Sequence, residues 1–167
     1  MTETGDEVVI RGIRQEDAGE VLTLQRAAFV QEALIYGDPD MPPLTQTLEE
    51  LSAELHDNLG CVALRGPRIV GAVRAVADTV TLLIGRISIA PDQQGEGIGS
   101  ALLAAVEERG LERGCDTAEL FTGSLSEANV RLYEREGYRE SERVDQGDGT
   151  AQVFLRKRLT QPEVSKP

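Results

Sequence analysis

The sequence predicts an α+β (mixed α/β) fold: a central mixed, mostly antiparallel sheet of about seven strands with about four helices. Three observations carry this expectation. Short apolar stretches bounded by turn residues follow one another in the order β-α-α-β-β-β-α-β-α-β-β. The three stretches within residues 61–89 are separated by tight turns, which makes them an antiparallel meander. A long helix then separates the third of these from the next strand, so the chain returns by a right-handed crossover and leaves one parallel pair.

Taken in order, residues 8–13 form the first strand. Asp17 with Glu20 three residues on reads as a capping box, and Val21, Leu24, Ala28 and Phe29 then share one helical face. The helix pattern breaks in the turn-rich loop 36–43, which holds Tyr36, Asp38, Asp40 and Met41. Thr47 and Glu50 form a Thr-x-x-Glu capping box for a second helix carrying Leu48, Leu51, Leu55 and Leu59. Residues 61–64, 69–77 and 80–89 are strands, the last interrupted at Gly85 and stopped by Pro91. Residues 97–114 make the clearest helix, with Ile98, Leu102, Ala105 and Val106 on its buried face and Gly114 as its left-handed C-terminal residue. Residues 118–122 form a strand and 126–136 a short helix ending at Gly137; residues 138–144 and 152–159 are two strands joined through a Gly147-Asp148-Gly149 hairpin turn.

These elements fill one domain over residues 8–159, with flexible tails at 1–7 and 160–167, in a chain of 167 residues. A net charge of −12 with no Lys/Arg-rich run excludes nucleic acid as a partner. The acidic N-terminus lacks the apolar core of a signal peptide, and no apolar run approaches the ~20 residues of a membrane span, so no membrane association and a cytoplasmic location are expected. Cys61 and Cys115 stand singly and read as reduced, partly buried thiols. His56, the only histidine, sits in the second helix between acidic neighbours and reads as a surface residue. No metal is expected.

The chemistry concentrates in Gln94-Gly95-Glu96-Gly97-Ile98-Gly99, which follows a strand and a proline and opens the long helix at Ser100. Glycines at alternate positions let backbone N–H groups approach an anion closely. The helix N-terminus adds unpaired N–H groups and about +0.5 of an elementary charge. The net negative charge does not oppose this, because the Debye length at physiological salt is about 8 Å and remote carboxylates are screened. A dinucleotide fingerprint would need Gly-x-Gly-x-x-Gly after the first strand, and a phosphate loop of the Walker type would need Gly-Lys-Ser/Thr; neither is present.

A second element lies downstream: Asn129, Leu132 and Tyr133, then Gly137-Tyr138. Gln94, Gly97 and Gly99 match an Arg/Gln-x-x-Gly-x-Gly/Ala signature, and with the Asn, Leu-Tyr and Gly-aromatic elements in this order the chain resembles the GNAT superfamily of acyl-CoA-dependent N-acetyltransferases. The resemblance covers residues 87–138 by motif and nearly the whole chain by element order. It implies a sheet splayed between strands 4 and 5 and acetyl-CoA as the acyl donor. The backbone of Ile87, Ser88 and Ile89 would hold the pantetheine arm, and the Ile89 N–H would receive the thioester oxyanion. Gln94, Gly95, Glu96, Gly97, Ile98, Gly99 and Ser100 would cradle the pyrophosphate, and Asn129 would bond the pantetheine or a phosphate. Many family members place that Asn seven residues before the Tyr, where this chain has Ser126.

Tyr133 is the implied general acid. The strand positions that often carry the family's base hold Leu83 and Phe121, which leaves Glu119, one pleat before Phe121, as a water-mediated base. Tyr36, Asp38, Asp40 and Met41 fall where the family sets acceptor specificity, and the two carboxylates suit a cationic acceptor. The implied reaction moves an acetyl group from acetyl-CoA to a primary amine of a small molecule or peptide by direct attack in a ternary complex. Two alternatives stay open: a non-catalytic acyl-CoA-binding or sensing module, and a transferase of a longer acyl group. A homodimer is left open as well.

Overall fold

In the computed structural model, which describes residues 7–160, seven strands form one sheet. The strands are β1 (Val8–Gly12), β2 (Cys61–Arg65), β3 (Arg68–Asp78), β4 (Thr81–Ile89), β5 (Thr117–Gly123), β6 (Arg139–Asp145) and β7 (Ala151–Arg158). The helices are α1 (Ala18–Tyr36), α2 (Pro42–Thr45), α3 (Leu48–Glu54), α4 (Ile98–Glu112) and α5 (Glu127–Arg135). The tails expected at the two termini fall, but for residues 7 and 160, outside the described residues.

The strand order is β1-β2-β3-β4-β5-β7-β6. β2 to β4 are the expected antiparallel meander, β1 adds to it antiparallel beside β2, and β4 and β5, joined through α4, are the one parallel pair of the sheet. Gly114 ends the connection with φ +94, as its place after the helix predicts. The final hairpin inserts β7 between β5 and β6, leaving β6 at the edge.

Each face of the sheet has its own apolar layer. On one, Leu102, Leu103 and Val106 of α4 pack on Leu82, Ala118 and Leu120. On the other, Val21 and Leu22 of α1 with Leu51 of α3 cover Val62, Ile69 and Ala72. Each such aliphatic side chain contributes about 1.5–3 kcal/mol when fully buried. Gly110 is where α4 comes closest to the sheet: a Cβ there would lie 2.8 Å from Leu82 Cδ2.

Four local features differ from the sequence reading. Asp17 and Glu20 do not close a capping box: Asp17 is held bidentately by Arg11 at 2.8 and 2.9 Å and accepts the Arg14 N–H, and Glu20 accepts the Ile69 N–H at 2.8 Å. A fifth, short helix, α2, forms in the loop, because Pro42 and Pro43 occupy its first turn, where a missing N–H and a fixed φ cost nothing. The Thr47–Glu50 capping box is present at 2.9 and 3.1 Å, but α3 ends at Glu54, so Leu59 lies beyond it, before β2. Finally, the irregularity in β4 sits at Arg86, whose φ is +52, while Gly85 pairs regularly with Arg74.

The loop from α3 into β2 is fixed by Asn58, whose Oδ1 accepts the N–H of Gly60 at 2.8 Å and of Ala75 at 3.0 Å. A Cβ on Gly60 would run into the Val73 carbonyl and the Asn58 side chain. Gly60→Ala is therefore expected to destabilise the fold by roughly 1–3 kcal/mol. Urea unfolding checks this, and an unchanged midpoint would show that the backbone there can move aside.

Candidate active site

The site begins where β4 and β5 separate. Their parallel pairing covers only residues 81–83 of β4 against 117–119 of β5. Beyond it, β4 carries one residue more than β3 between the Arg74–Gly85 and Ala72–Ser88 pairs, a bulge that bends the strand. The Ala90 N–H donates to the Val70 carbonyl of β3 at 2.9 Å. Backbone groups alternate in direction along a strand, so the N–H groups of Ile87 and Ile89 face away from β3, toward the gap.

A cleft of about 560 Å³ opens there between α1, the end of β4, the glycine loop, the start of α4, and α5. Gly95 and Gly97 take φ values of +81 and +79, and a Cβ on either would meet nothing within 4 Å. These glycines are required by backbone conformation, and the space beside them is open to a ligand. Gly97 is the N-cap of α4, whose first-turn N–H groups have no partner within the helix. The loop's own carboxylate is neutralised from outside: Arg65 pairs with Glu96 at 2.9 Å and also holds Gln93 at 2.9 Å. Ser100 Oγ donates to Glu136 at 2.9 Å.

Of the residues singled out from the sequence, Ile87, Ile89, Gln94, Gly95, Gly97, Ile98, Gly99, Ser100 and Asn129 line this cleft. Ser126, at the family's usual asparagine position, lines it too. Ser88 is buried and Glu96 points to Arg65. Tyr133 follows Leu132, which lines the cleft, and is itself only 5% exposed, with its ring edge-on to Tyr138 at 6.2 Å. Burial pushes its phenol above the usual range, and the negative charge of Glu32 adds to the shift. Glu119 lies away from the cleft, paired across strands with Arg156 at 3.5 Å. In the α1–α2 connection, Asp38 is exposed and caps its own turn by accepting the Asp40 N–H at 3.1 Å, and Asp40 is exposed as well. His56 is exposed.

The sequence reading missed Glu32. It lines the cleft from α1, accepts the Ser126 hydroxyl at 2.6 Å and receives a long contact from Asn129 at 3.5 Å. Tyr36 reaches the same place: its hydroxyl meets Ser126 Oγ at 2.7 Å and accepts the Leu125 N–H at 3.1 Å. The C-terminal end of α1 is thus latched to the β5–α5 connection across the gap. Nothing in the local pattern of α1 announces this, because the partners are about ninety positions apart.

Comparison with known proteins bears directly on this arrangement. The model of the acetyltransferase (GNAT) family matches residues 21–138. The chain is 26% identical over 132 residues to the UPF0157 protein YqkA of Bacillus subtilis (strain 168), a match covering 79% of this chain and 37% of that protein. The chain therefore spans little more than a third of this curated relative's length. Among solved structures, the ribosomal-protein-S18-alanine N-acetyltransferase of Escherichia coli is similar with a TM-score of 0.76 at 15% identity, over 94% of this chain and 97% of that one. The PaiA N-acetyltransferase of Thermoplasma acidophilum, solved in complex with coenzyme A, is similar with a TM-score of 0.76 at 17% identity, over 91% and 99%.

The latch generates a stability prediction. Tyr36→Phe removes one of the two partners of the Ser126 hydroxyl and the acceptor of the exposed Leu125 N–H, and is expected to cost roughly 0.5–1.5 kcal/mol. Urea unfolding of the variant measures it, and a wild-type midpoint would show that the latch does not hold α1 in solution.

Proposed function

The chain belongs to the acetyltransferase (GNAT) family, and on that footing we propose that it transfers an acetyl group from acetyl-CoA to a primary amine of a small molecule or peptide, within a single domain spanning residues 8–159. The observation that carries this reading is one cleft that combines the glycine loop at the α4 N-terminus with the open edge of β4 at Ile87 and Ile89. The first suits a pyrophosphate. The second suits an amide-bearing arm laid down as an added strand. CoA joins both groups in one ligand, its pyrophosphate carrying an amide-bearing arm directly, and the coenzyme A bound by the Thermoplasma acidophilum neighbour supports the choice. The cytoplasm is the compartment this reading implies.

Acetyl-CoA supplies the activated acyl carbonyl, and the chain supplies position, charge and a proton. The amides of residues 95–100 hold the pyrophosphate, while Asn129 and Ser126 stand beside the arm. The Ile89 N–H donates to the carbonyl oxygen as negative charge gathers on it, a contact worth about 3 kcal/mol. As the amine nitrogen bonds to the acyl carbon and the C–S bond breaks, the Tyr133 hydroxyl, the general acid of this reading, hydrogen-bonds the departing sulfur as charge gathers on it. Glu32 holds the acceptor's ammonium. A carboxylate is a far weaker base than an amine, so the proton that the nitrogen must shed leaves through water beside Glu32. Cys61 and Cys115 are buried and neither lines the cleft, which supports direct attack in a ternary complex.

Thiol release from acetyl-CoA over a panel of amines tests the activity. Tyr133→Phe is expected to lower kcat by about 10²–10⁴-fold and to leave acetyl-CoA affinity unchanged, because it removes one hydroxyl that acts on the sulfur only as the C–S bond breaks. An unaltered kcat would remove Tyr133 from the mechanism. Gly97→Glu is expected to abolish CoA binding in calorimetry by filling the cradle with a side chain and an opposing charge; wild-type binding would refute the pyrophosphate site.

A further inference from the structure

The bulge in β4 places an arginine where a glycine would be less costly. Arg86 has φ +52, a conformation that costs a non-glycine residue roughly 1–2 kcal/mol, while its neighbour Gly85 sits in the regular ladder. Such strain persists where the residue's placement matters to function. What the strain places here is a half-buried guanidinium whose Nε is closed off from solvent and has no hydrogen-bond partner. Among the described residues no ion pair or hydrogen bond reaches its side chain.

The surroundings sharpen the deficit. Arg74, only 4% exposed, donates to Gln25 at 2.7 Å and to Gln46 at 3.3 Å and is ion-paired with Glu54. Glu54 also accepts from Gln46 at 3.1 Å. Among the described residues Glu54 is the one carboxylate that acts on Arg86, and it is already engaged by Arg74. Burial pushes both guanidinium pKa values down, with Glu54 offsetting part of each shift and the charge of Arg86 adding to the shift at Arg74. Two guanidiniums thus share one carboxylate, in a chain whose net charge is −12. An uncompensated half-buried cation is costly to keep and is relieved by a ligand of opposite charge.

Its position says which ligand. Arg86 lies three residues beyond Leu83, the last β4 residue paired to β5, and directly before Ile87 of the cleft wall, so it stands at the mouth of the gap. Its partners in charge, Arg74 and Glu54, place its head on the α3 face of the sheet, opposite α4. The acyl donor's arm follows residues 87–89, so an acceptor reaches the carbonyl from the other end of the gap, past Arg86. Leu83, the last β4 residue paired to β5, and Phe121, two residues beyond its partner Glu119, are 37% and 54% exposed and put apolar surface where the strands part; Leu82, Ile84, Ala118 and Leu120 of the same strands face α4.

We propose that Arg86 binds a carboxylate of the acceptor, so that the substrate is an amine that also carries a carboxylate and an apolar side chain, an apolar amino acid being the simplest case. The assignment rests on the transferase reading and narrows its substrate class.

The test compares L-phenylalanine, L-phenylalaninamide and 2-phenylethylamine as acceptors for acetyl-CoA, by thiol release. Wild type is expected to favour phenylalanine in kcat/KM by about tenfold to a hundredfold. Arg86→Gln should erase that ratio and Arg86→Lys should restore part of it, with acetyl-CoA affinity by calorimetry unchanged in both. A wild-type ratio near unity, or one that survives Arg86→Gln, overturns the proposal. An arm with succinyl-CoA separates the acceptor from the acyl group as the source of the carboxylate: a preference for succinyl-CoA over acetyl-CoA that Arg86→Gln abolishes also overturns it. A binding arm keeps this result distinct from the fate of the transferase reading. If no amine releases thiol, that reading fails, and calorimetry of phenylalanine against CoA-saturated protein then decides for Arg86 alone: binding that Arg86→Gln abolishes supports its role, and absence of binding refutes it.

Discussion

The whole site depends on two parallel strands that stop pairing after three residues. β5 is held along its full length by β7 on one side, while on the other it touches β4 only at residues 117–119. β4 meanwhile stays with β3 to its end, at the cost of a bulge. The two half-sheets therefore part, and the parting exposes backbone groups of β4 that an ordinary sheet would have spent on its next strand. An unpaired edge inside a protein invites another strand. Here the invitation is turned to use, because α4 starts at the same point and directs its first-turn N–H groups at whatever lies along that edge. α1 closes the far side through Tyr36, Glu32 and Ser126.

Charge is arranged locally, and the net figure is a poor guide to it. A chain at −12 is compatible with the proposed anion cradle, because the contacts that matter there are amides at hydrogen-bond range, whereas surface carboxylates a Debye length away are screened. Two acids of the loop and the turn before it are tied down individually: Glu96 by Arg65, and Asp92 by Arg68 at 2.7 and 2.9 Å. These pairs are exposed, so their contribution to stability is small. Their effect is to remove two negative charges from the approach to the cleft. At the other end of the gap the imbalance runs the other way, with Arg74 and Arg86 facing one Glu54.

What the sequence made legible was whatever is encoded over short spans. The glycine loop, the Thr47–Glu50 box, Gly114 and the Gly147–Gly149 turn are each fixed by residues within a few positions, and the strand–helix–strand order follows from the handedness of connections. What it hid was set by distant partners. Asp17 reads as a helix cap until Arg11 claims it, and Glu20 until the Ile69 N–H does. Glu32 looks like any polar residue of a long helix, since Ser126 and Asn129 are contributed by the other end of the chain. Arg86 was concealed by its neighbour: a glycine in a strand marks a bulge by local rules, and the strand's register with β3 moved the left-handed residue one position along. The two carboxylates of the α1–α2 connection drew attention by composition, but Asp38 is spent on its own turn.

Tyr133 shows how these parts act together. Burial and the Glu32 anion both raise its phenol, so at physiological pH it is a neutral donor and never a phenolate. A thiol, with an ordinary pKa of about 8.5, is the stronger acid, so in the proposed reaction the phenol would serve the leaving sulfur chiefly by donating a hydrogen bond as charge develops on it. That bond is stronger in a site from which bound ligands have displaced water. In the proposed reaction the acceptor's ammonium lies beside Glu32 and cancels the anion that holds the phenol up, which makes Tyr133 a better acid when the acceptor is in place than when it is absent. The carboxylate that holds the nucleophile and the phenol that meets the leaving group are then linked through space, and the ternary complex is the state in which both are ready.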